Sequence, residues 1–128
     1  MEKKRLILCD TDVLINLFRR DQDVEAVFEQ YNENRFVISS ITAAEIYFDM
    51  KRKEARKTKE LLGRFNMIYI DKAICQRMLD ILHKHMNRLS IADALIAATA
   101  QEYGFELYTF NRKDYAFLPG VKLFNPKK

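Results

Sequence analysis

Four carboxylates stand where they could do chemistry: Asp10, Glu45, Asp93 and Asp114. Asp10 closes the apolar run Leu6-Ile7-Leu8-Cys9, and Asp114 follows Glu106-Leu107-Tyr108-Thr109; both runs read as strands. Glu45 and Asp93 fall about one turn into expected helices, in Ile41-Thr42-Ala43-Ala44-Glu45-Ile46 and Ser90-Ile91-Ala92-Asp93-Ala94. Two carboxylates about 5 Å apart repel by about 3 kcal/mol at an effective dielectric of 20. Three or four together therefore need protons or cations at neutral pH. A set of hard oxygen donors points to Mg²⁺ or Mn²⁺ rather than Zn²⁺. His83 and His85 do not supply a zinc site: two apart on an expected helix, they point in different directions and read as surface residues. No credible Ser–His or Cys–His pair offers a side-chain nucleophile.

Each acid also has a plain structural reading. Thr42-x-x-Glu45 and Ser90-x-x-Asp93 fit the capping box, in which the acid reaches back to the helix's first amide. An acid in a first helical turn gains about 0.3–1 kcal/mol from the helix dipole, which also covers Asp12. Asp114 fits a turn. Taken singly, these readings compete with catalysis at every position; the case for a site rests on the set.

The elements that must position the set alternate along the chain. Strands are expected over residues 6–9, 36–39, 67–70, 106–109 and 121–124. Helices are expected from 11 or 12 to 20, over 24–31, 42–53, 54–64 and 71–86, and over 90–103, where Gly104 supplies the stop. Such alternation predicts an α/β fold, a three-layer α/β/α sandwich with a mostly parallel sheet of four or five strands. In an open parallel sheet the carboxyl ends of the strands share one edge, and that edge holds the site. All four acids would arrive there.

The chain has 128 residues, 48% of them hydrophobic, with three Gly and two Pro, which suits one domain over 1–128 and excludes a disordered or collagenous chain. No apolar stretch reaches the ~20 residues of a membrane span, and residues 1–5 with the interrupted run behind them do not read as a signal peptide. Cys9 and Cys75 are too few for a disulfide scaffold, and Cys9 reads as a buried free thiol in a reducing cytoplasm. The net charge of +4 suits a nucleic-acid partner without requiring one. Six of the nine residues 51–59 are basic, which fits either an RNA-tracking or docking surface or a solvated helix.

Four segments together resemble the PIN-domain ribonucleases, specifically the VapC-type toxins of toxin–antitoxin pairs. They are Leu8-Cys9-Asp10-Thr11-Asp12-Val13-Leu14-Ile15, Ser39-Ser40-Ile41-Thr42-Ala43-Ala44-Glu45-Ile46, Ile91-Ala92-Asp93-Ala94-Leu95-Ile96-Ala97-Ala98-Thr99-Ala100 and Thr109-Phe110-Asn111-Arg112-Lys113-Asp114-Tyr115. The last resembles a Thr-x-Asn-x-x-Asp-Phe ending, with Tyr115 where Phe is usual, a departure expected to matter little. The resemblance implies a cytoplasmic, Mg²⁺-dependent endoribonuclease, with Mn²⁺ as a substitute ion. Asp10 and Asp93 would be direct ligands, Glu45 would complete the metal site, and Thr109 would orient a ligand or a phosphate. Many relatives carry Asp where this chain has Asn111, which leaves Asp114 either a ligand or a residue behind the ligands; Asp12 is another residue in that supporting role. Asn111, Arg112, Lys51 and Arg52 are candidates for contact with RNA. Tyr47, Phe48, Phe110 and Tyr115 could stack on bases, although Phe48 and Phe110 read better as core. The resemblance further implies a homodimer and a cognate antitoxin, with Leu14, Leu17, Phe18, Ile46, Tyr47 and Met50 as surface or core candidates. Asp10-x-Asp12 after a strand also resembles the opening of haloacid-dehalogenase phosphohydrolases, but no glycine flap follows it. The same segments are compatible with a PIN-like RNA-processing nuclease, or with a degenerate binding module, that has no antitoxin.

Overall fold

The short apolar runs at the centre of the chain's sheet become strands because both of their faces are covered. A computed structural model describes residues 6–126, so the charged segment 1–5 lies outside the described residues. The order is β1 (Ile7–Cys9), α1 (Thr11–Phe18), α2 (Gln22–Gln30), β2 (Phe36–Ser39), α3 (Ser40–Asp49), α4 (Ala55–Leu62), β3 (Asn66–Ile68), α5 (Lys72–Lys84), α6 (Ile91–Tyr103), β4 (Glu106–Tyr108), α7 (Arg112–Tyr115) and β5 (Lys122–Leu123). The five strands form one sheet in the order β3-β2-β1-β4-β5, and every neighbouring pair is parallel. Leu8, Val37 and Leu107 point into a core shared with α5 and α6, while Ile7, Cys9, Phe36, Ile38 and Tyr108 point into a second core with α1, α2 and α3. This is the three-layer α/β/α sandwich expected from the alternation, with a wholly parallel sheet.

Helix α6 is the most enclosed helix: residues 94–100 are all buried in succession, and four of the seven are Ala. Small side chains let its backbone lie close to the sheet and to α5. Gly104 ends it with φ +69°, the left-handed turn that glycine adopts without a Cβ penalty.

Several expectations are corrected. The helix placed over 42–53 runs instead from Ser40 to Asp49, capped by Ser39, whose Oγ accepts the Ile41 N–H at 3.1 Å. Thr42 is thus fully buried inside the helix, Glu45 lies in the second turn, and Thr42-x-x-Glu45 is not a capping box. The chain is extended at Met50 and Lys51 before a 3-10 turn at Arg52–Glu54, where Glu54 Oε1 accepts the Lys51 N–H at 2.8 Å. Helix α7 has only four residues, too few for periodicity to reveal. Phe48, expected in the core, is 89% exposed. It lies two residues, about 200°, round the helix from the buried Ile46. Phe110 is also exposed, leaning edge-on against Tyr108, whereas Tyr115 is fully enclosed and not free to stack on a base. Leu14 and Ile46 are core, Leu17, Phe18 and Met50 are half-buried, and Tyr47 is exposed. His83 is a surface residue, but His85 caps α5 and packs its ring edge-on to Phe117. Cys9 is a buried free thiol, and Cys75 is free and half-buried.

Candidate active site

The sheet brings β1 and β4 side by side, with Cys9 paired to Tyr108, so the residues just beyond both strands meet. Asp10 donates its N–H to the Tyr108 carbonyl at 2.9 Å and then caps α1. Its Oδ1 accepts the Thr11 N–H at 2.8 Å, and its Oδ2 accepts the Thr109 hydroxyl at 2.7 Å. Thr109 Oγ1 is fixed in turn by the Asn111 N–H at 3.0 Å. Asp10 is therefore a buried carboxylate held from both sides, and Thr109 is the residue that orients it.

Asp12 sits in the first turn of α1. Its Oδ2 accepts the Phe110 N–H at 3.2 Å, while its Oδ1 is buried with no hydrogen-bond partner among the described residues. Asp93 enters from α6, whose cap is Ser90: Ser90 Oγ accepts the Asp93 N–H at 3.0 Å. The Asp93 carboxylate faces the cluster, where its Oδ1 accepts the Tyr115 hydroxyl at 3.0 Å. Glu45 joins through Thr11, whose hydroxyl donates to Glu45 Oε1 at 2.7 Å and shares a 3.1 Å hydrogen bond with Thr42. One residue, Thr11, thus touches both Asp10 through its backbone and Glu45 through its side chain.

The acids repel one another. Burial foremost, and then the charge of Asp12, push the Asp10 carboxyl up to about 6 against the hydrogen bonds from Thr109 and Thr11; Asp93 adds to the rise. Asp12 is raised as well, by burial foremost and by Asp93, against the N–H groups of Val13 and Phe110. Burial and the charges of Asp10 and Asp93 hold the Tyr115 phenol protonated, so it serves as a donor. The ion pairs Arg20–Glu25, Arg64–Glu33, Arg77–Glu102 and Lys84–Asp80 draw on other carboxylates and relieve none of this.

The donor set suits a hard divalent ion: carboxylate oxygens under mutual repulsion, one of them buried without a partner. The arrangement is open, since among the described residues no three Asp, Glu, His or Cys side chains close on a single ion-sized point. Mg²⁺ is commonly held in this manner, by one or two carboxylates with water filling the rest of its shell.

The remaining sequence-expected residues lie apart from the acids. Asp114 is on the exposed side of α7 and takes no part in the carboxylate hydrogen bonds. Asn111 caps α7, and Arg112 donates to the Phe124 carbonyl at 3.0 Å. Lys51 and Arg52 are exposed in the link between α3 and α4. Sequence reasoning misses two members of the site. Thr11 stands inside a motif without an assigned role, and Tyr115 passes as a neutral exchange for Phe although its hydroxyl reaches Asp93.

A PIN-domain family model matches residues 7–117. The chain is 32% identical over 114 residues to Ribonuclease VapC10 of Mycobacterium tuberculosis, which covers 83% of each protein. It is 33% identical to a chain of a toxin-antitoxin complex from Klebsiella pneumoniae, with a TM-score of 0.79 over 95% of this chain and 98% of that one. At the level of fold alone, it superposes on a chain of VapBC2 from Rickettsia felis bound to a promoter DNA fragment, with a TM-score of 0.81 at 22% identity, covering 94% of this chain and 98% of that one.

Proposed function

Because the chain belongs to the PIN-domain family, we propose that it is an endoribonuclease toxin that cuts RNA phosphodiester bonds with the help of Mg²⁺. The observation that carries the metal reading is the unpartnered, buried Oδ1 of Asp12 among carboxylates that raise one another's pKa. A bound Mg²⁺ would acidify the attacking water and neutralise charge on the phosphate, and Mn²⁺ would do the same.

In this reading Asp10 and Asp93 hold the ion, with Asp12 beside them. Thr109 and the Thr11 amide oppose protonation of Asp10 and fix its direction. Glu45, steadied by the Thr11 hydroxyl, completes the site and takes the proton of the attacking water. Asp114 supports from outside, while Asn111, Arg112, Lys51 and Arg52 offer hydrogen bonds or positive charge to the RNA. The cognate partner is an antitoxin protein, the pairing named for the Klebsiella complex. The active unit is one domain over residues 1–128, working as a homodimer in the cytoplasm, where RNA and antitoxin are both available. Among the described residues no helix is long and apolar enough to cross a membrane. A phosphoryl-accepting role for Asp10, as in the haloacid-dehalogenase phosphohydrolases, fits less well because helix α1 begins at Thr11, directly after it, and leaves no glycine flap.

The test is cleavage of total cellular RNA by purified protein in Mg²⁺ or Mn²⁺ and in EDTA, with Asp93→Asn alongside. Discrete cuts lost in EDTA and reduced at least 100-fold, as an order of magnitude, by the substitution are the expected result. Equal cutting by both proteins, with matched circular dichroism, would remove Asp93 from the reaction.

A further inference from the structure

A cleft of about 720 Å³ adjoins the acid cluster, lined by Asn16, Asp21, Asp23, Val27, Tyr108 and Phe110 among others. A cleft of this size encloses a small organic ligand. Two of its residues lead directly to the acids. Phe110 donates its N–H to Asp12 at 3.2 Å, and Asn16 follows Asp12 by one turn of α1, about 5.4 Å along the helix. The Phe110 ring is 47% exposed and meets Tyr108 edge-on, with centroids 6.0 Å apart. Tyr108 is only 5% exposed, yet its hydroxyl has no hydrogen-bond partner among the described residues. That hydroxyl lies within electrostatic reach of Asp21 and Asp23. Asp21 Oδ1 accepts the N–H groups of Asp23 and Val24 at 3.0 and 3.1 Å. Its Oδ2 and both carboxylate oxygens of Asp23 accept no hydrogen bond among the described residues.

We infer that the cleft is a subsite for an unpaired guanine next to the scissile phosphate. The base lies against Phe110, its N1–H and 2-amino group donate to the Asp21 and Asp23 carboxylates, and its O6 accepts the Tyr108 hydroxyl. The inference rests on the endoribonuclease reading above and extends it to the sequence at the cut. Two carboxylates repel phosphate, so the base enters the cleft and the backbone stays outside. A carboxylate only accepts and a phenol at neutral pH donates, so the cleft offers two accepting groups and one donor. Guanine alone among the four bases presents two adjacent donor groups beside an acceptor on its Watson–Crick edge. Adenine and cytosine set a bare ring nitrogen next to their one amino group, and uracil flanks its one N–H with two carbonyls. Each of these would turn an acceptor toward the carboxylates and leave it unsatisfied, which costs binding. An aromatic face together with contacts to the Watson–Crick edge is how proteins read single-stranded RNA. Asp21, Asp23 and Tyr108 are thus specificity residues, apart from the reacting atoms.

The experiment is cleavage in Mg²⁺ of a single-stranded RNA pool of random sequence by wild type, Asp23→Asn and Tyr108→Phe, with the product ends sequenced. Wild type should show guanine enriched about fivefold or more at one fixed position beside the cut, and each substitution should lower that enrichment about threefold or more. The enrichment is a ratio within each protein, so a partial loss of folding cancels. No guanine enrichment in wild type, or one that both substitutions leave unchanged, overturns the inference while the cutting itself upholds the nuclease. A second measurement needs no cutting: calorimetric titration of the metal-free protein with the monophosphates of guanosine, adenosine, cytidine and uridine. The guanosine nucleotide should bind about fivefold or more tighter than the others, and Tyr108→Phe should narrow that gap. Equal binding of all four, or binding of none, overturns the inference even where RNA is cut. A wild type that cuts no RNA overturns the nuclease reading, and the titration alone then decides whether the cleft takes guanine.

Discussion

Among the described residues, Asp12 carries a buried oxygen that nothing satisfies, and it stands beside Asp10 and Asp93 with no basic group paired to it. Asp12→Asn removes one charge from the repulsion, keeps the acceptor for the Phe110 N–H and puts a donor where Oδ1 was unpartnered. In EDTA the substituted protein should therefore melt about 3–5 °C higher than wild type, corresponding to about 1 kcal/mol, as followed by circular dichroism. A lower melting temperature would mean that the Asp12 charge is not opposed in the metal-free fold. Asp10 and Asp93 are legible in the sequence because each stands at a sharp change of character, one after an apolar run and one after a helix-capping serine. Thr11 and Tyr115 are not, because a hydroxyl's partner is a fact of three-dimensional direction. Thr11 bonds a residue 34 positions away and Tyr115 one 22 positions away.

At the level of elements, the first turn of α6 does two jobs, since it starts the most enclosed helix and presents Asp93 to the cluster. Ser90→Ala removes the cap on the Asp93 N–H. It should cost about 1 kcal/mol, visible as a fall of about 3–5 °C in melting temperature. Cleavage should fall by more than the loss of folded protein accounts for, because the turn that frays is the one carrying Asp93 of the proposed metal site. An unchanged melting temperature would show that another group or water caps the amide equally well. The strands and the long helices can be read from periodicity, and β2 begins and ends where its apolar run does. The break between α3 and α4 cannot. Neither Gly nor Pro marks Met50 and Lys51, and the signal is a glutamate three residues on that takes up the Lys51 amide. The start of α3 falls earlier than its sequence suggests for a related reason: Ser39, Ser40 and Thr42 are all plausible caps, and only the packing of Thr42 into the interior decides among them.

For the molecule as a whole, the buried acids tie stability to pH and, in the proposed site, to metal. Asp10 titrates near 6 in the metal-free fold, against an ordinary value of 3.8. The folded state therefore holds its proton more tightly than the unfolded chain does. This contribution, about 3 kcal/mol, is fully present below about pH 4 and is lost as pH rises through about 6. In the proposed site Mg²⁺ competes with the same proton, so its stabilising effect should be large at pH 7.5 and fade below pH 6. Melting curves across this range, in EDTA and in Mg²⁺, with Asp10→Asn to isolate the group, check the sign. A Mg²⁺ effect that grows as pH falls would contradict it. One consequence follows from the pairing of β1 with β4. Asp10 and the Thr109 hydroxyl that aims it are 99 residues apart. At 5–20 residues per second, a ribosome takes about 5–20 s to pass from one to the other. Until the later segment is made, β1 lacks its β4 neighbour and Asp10 lacks the residue that orients it. The acid cluster is therefore incomplete for as long as the polypeptide is unfinished.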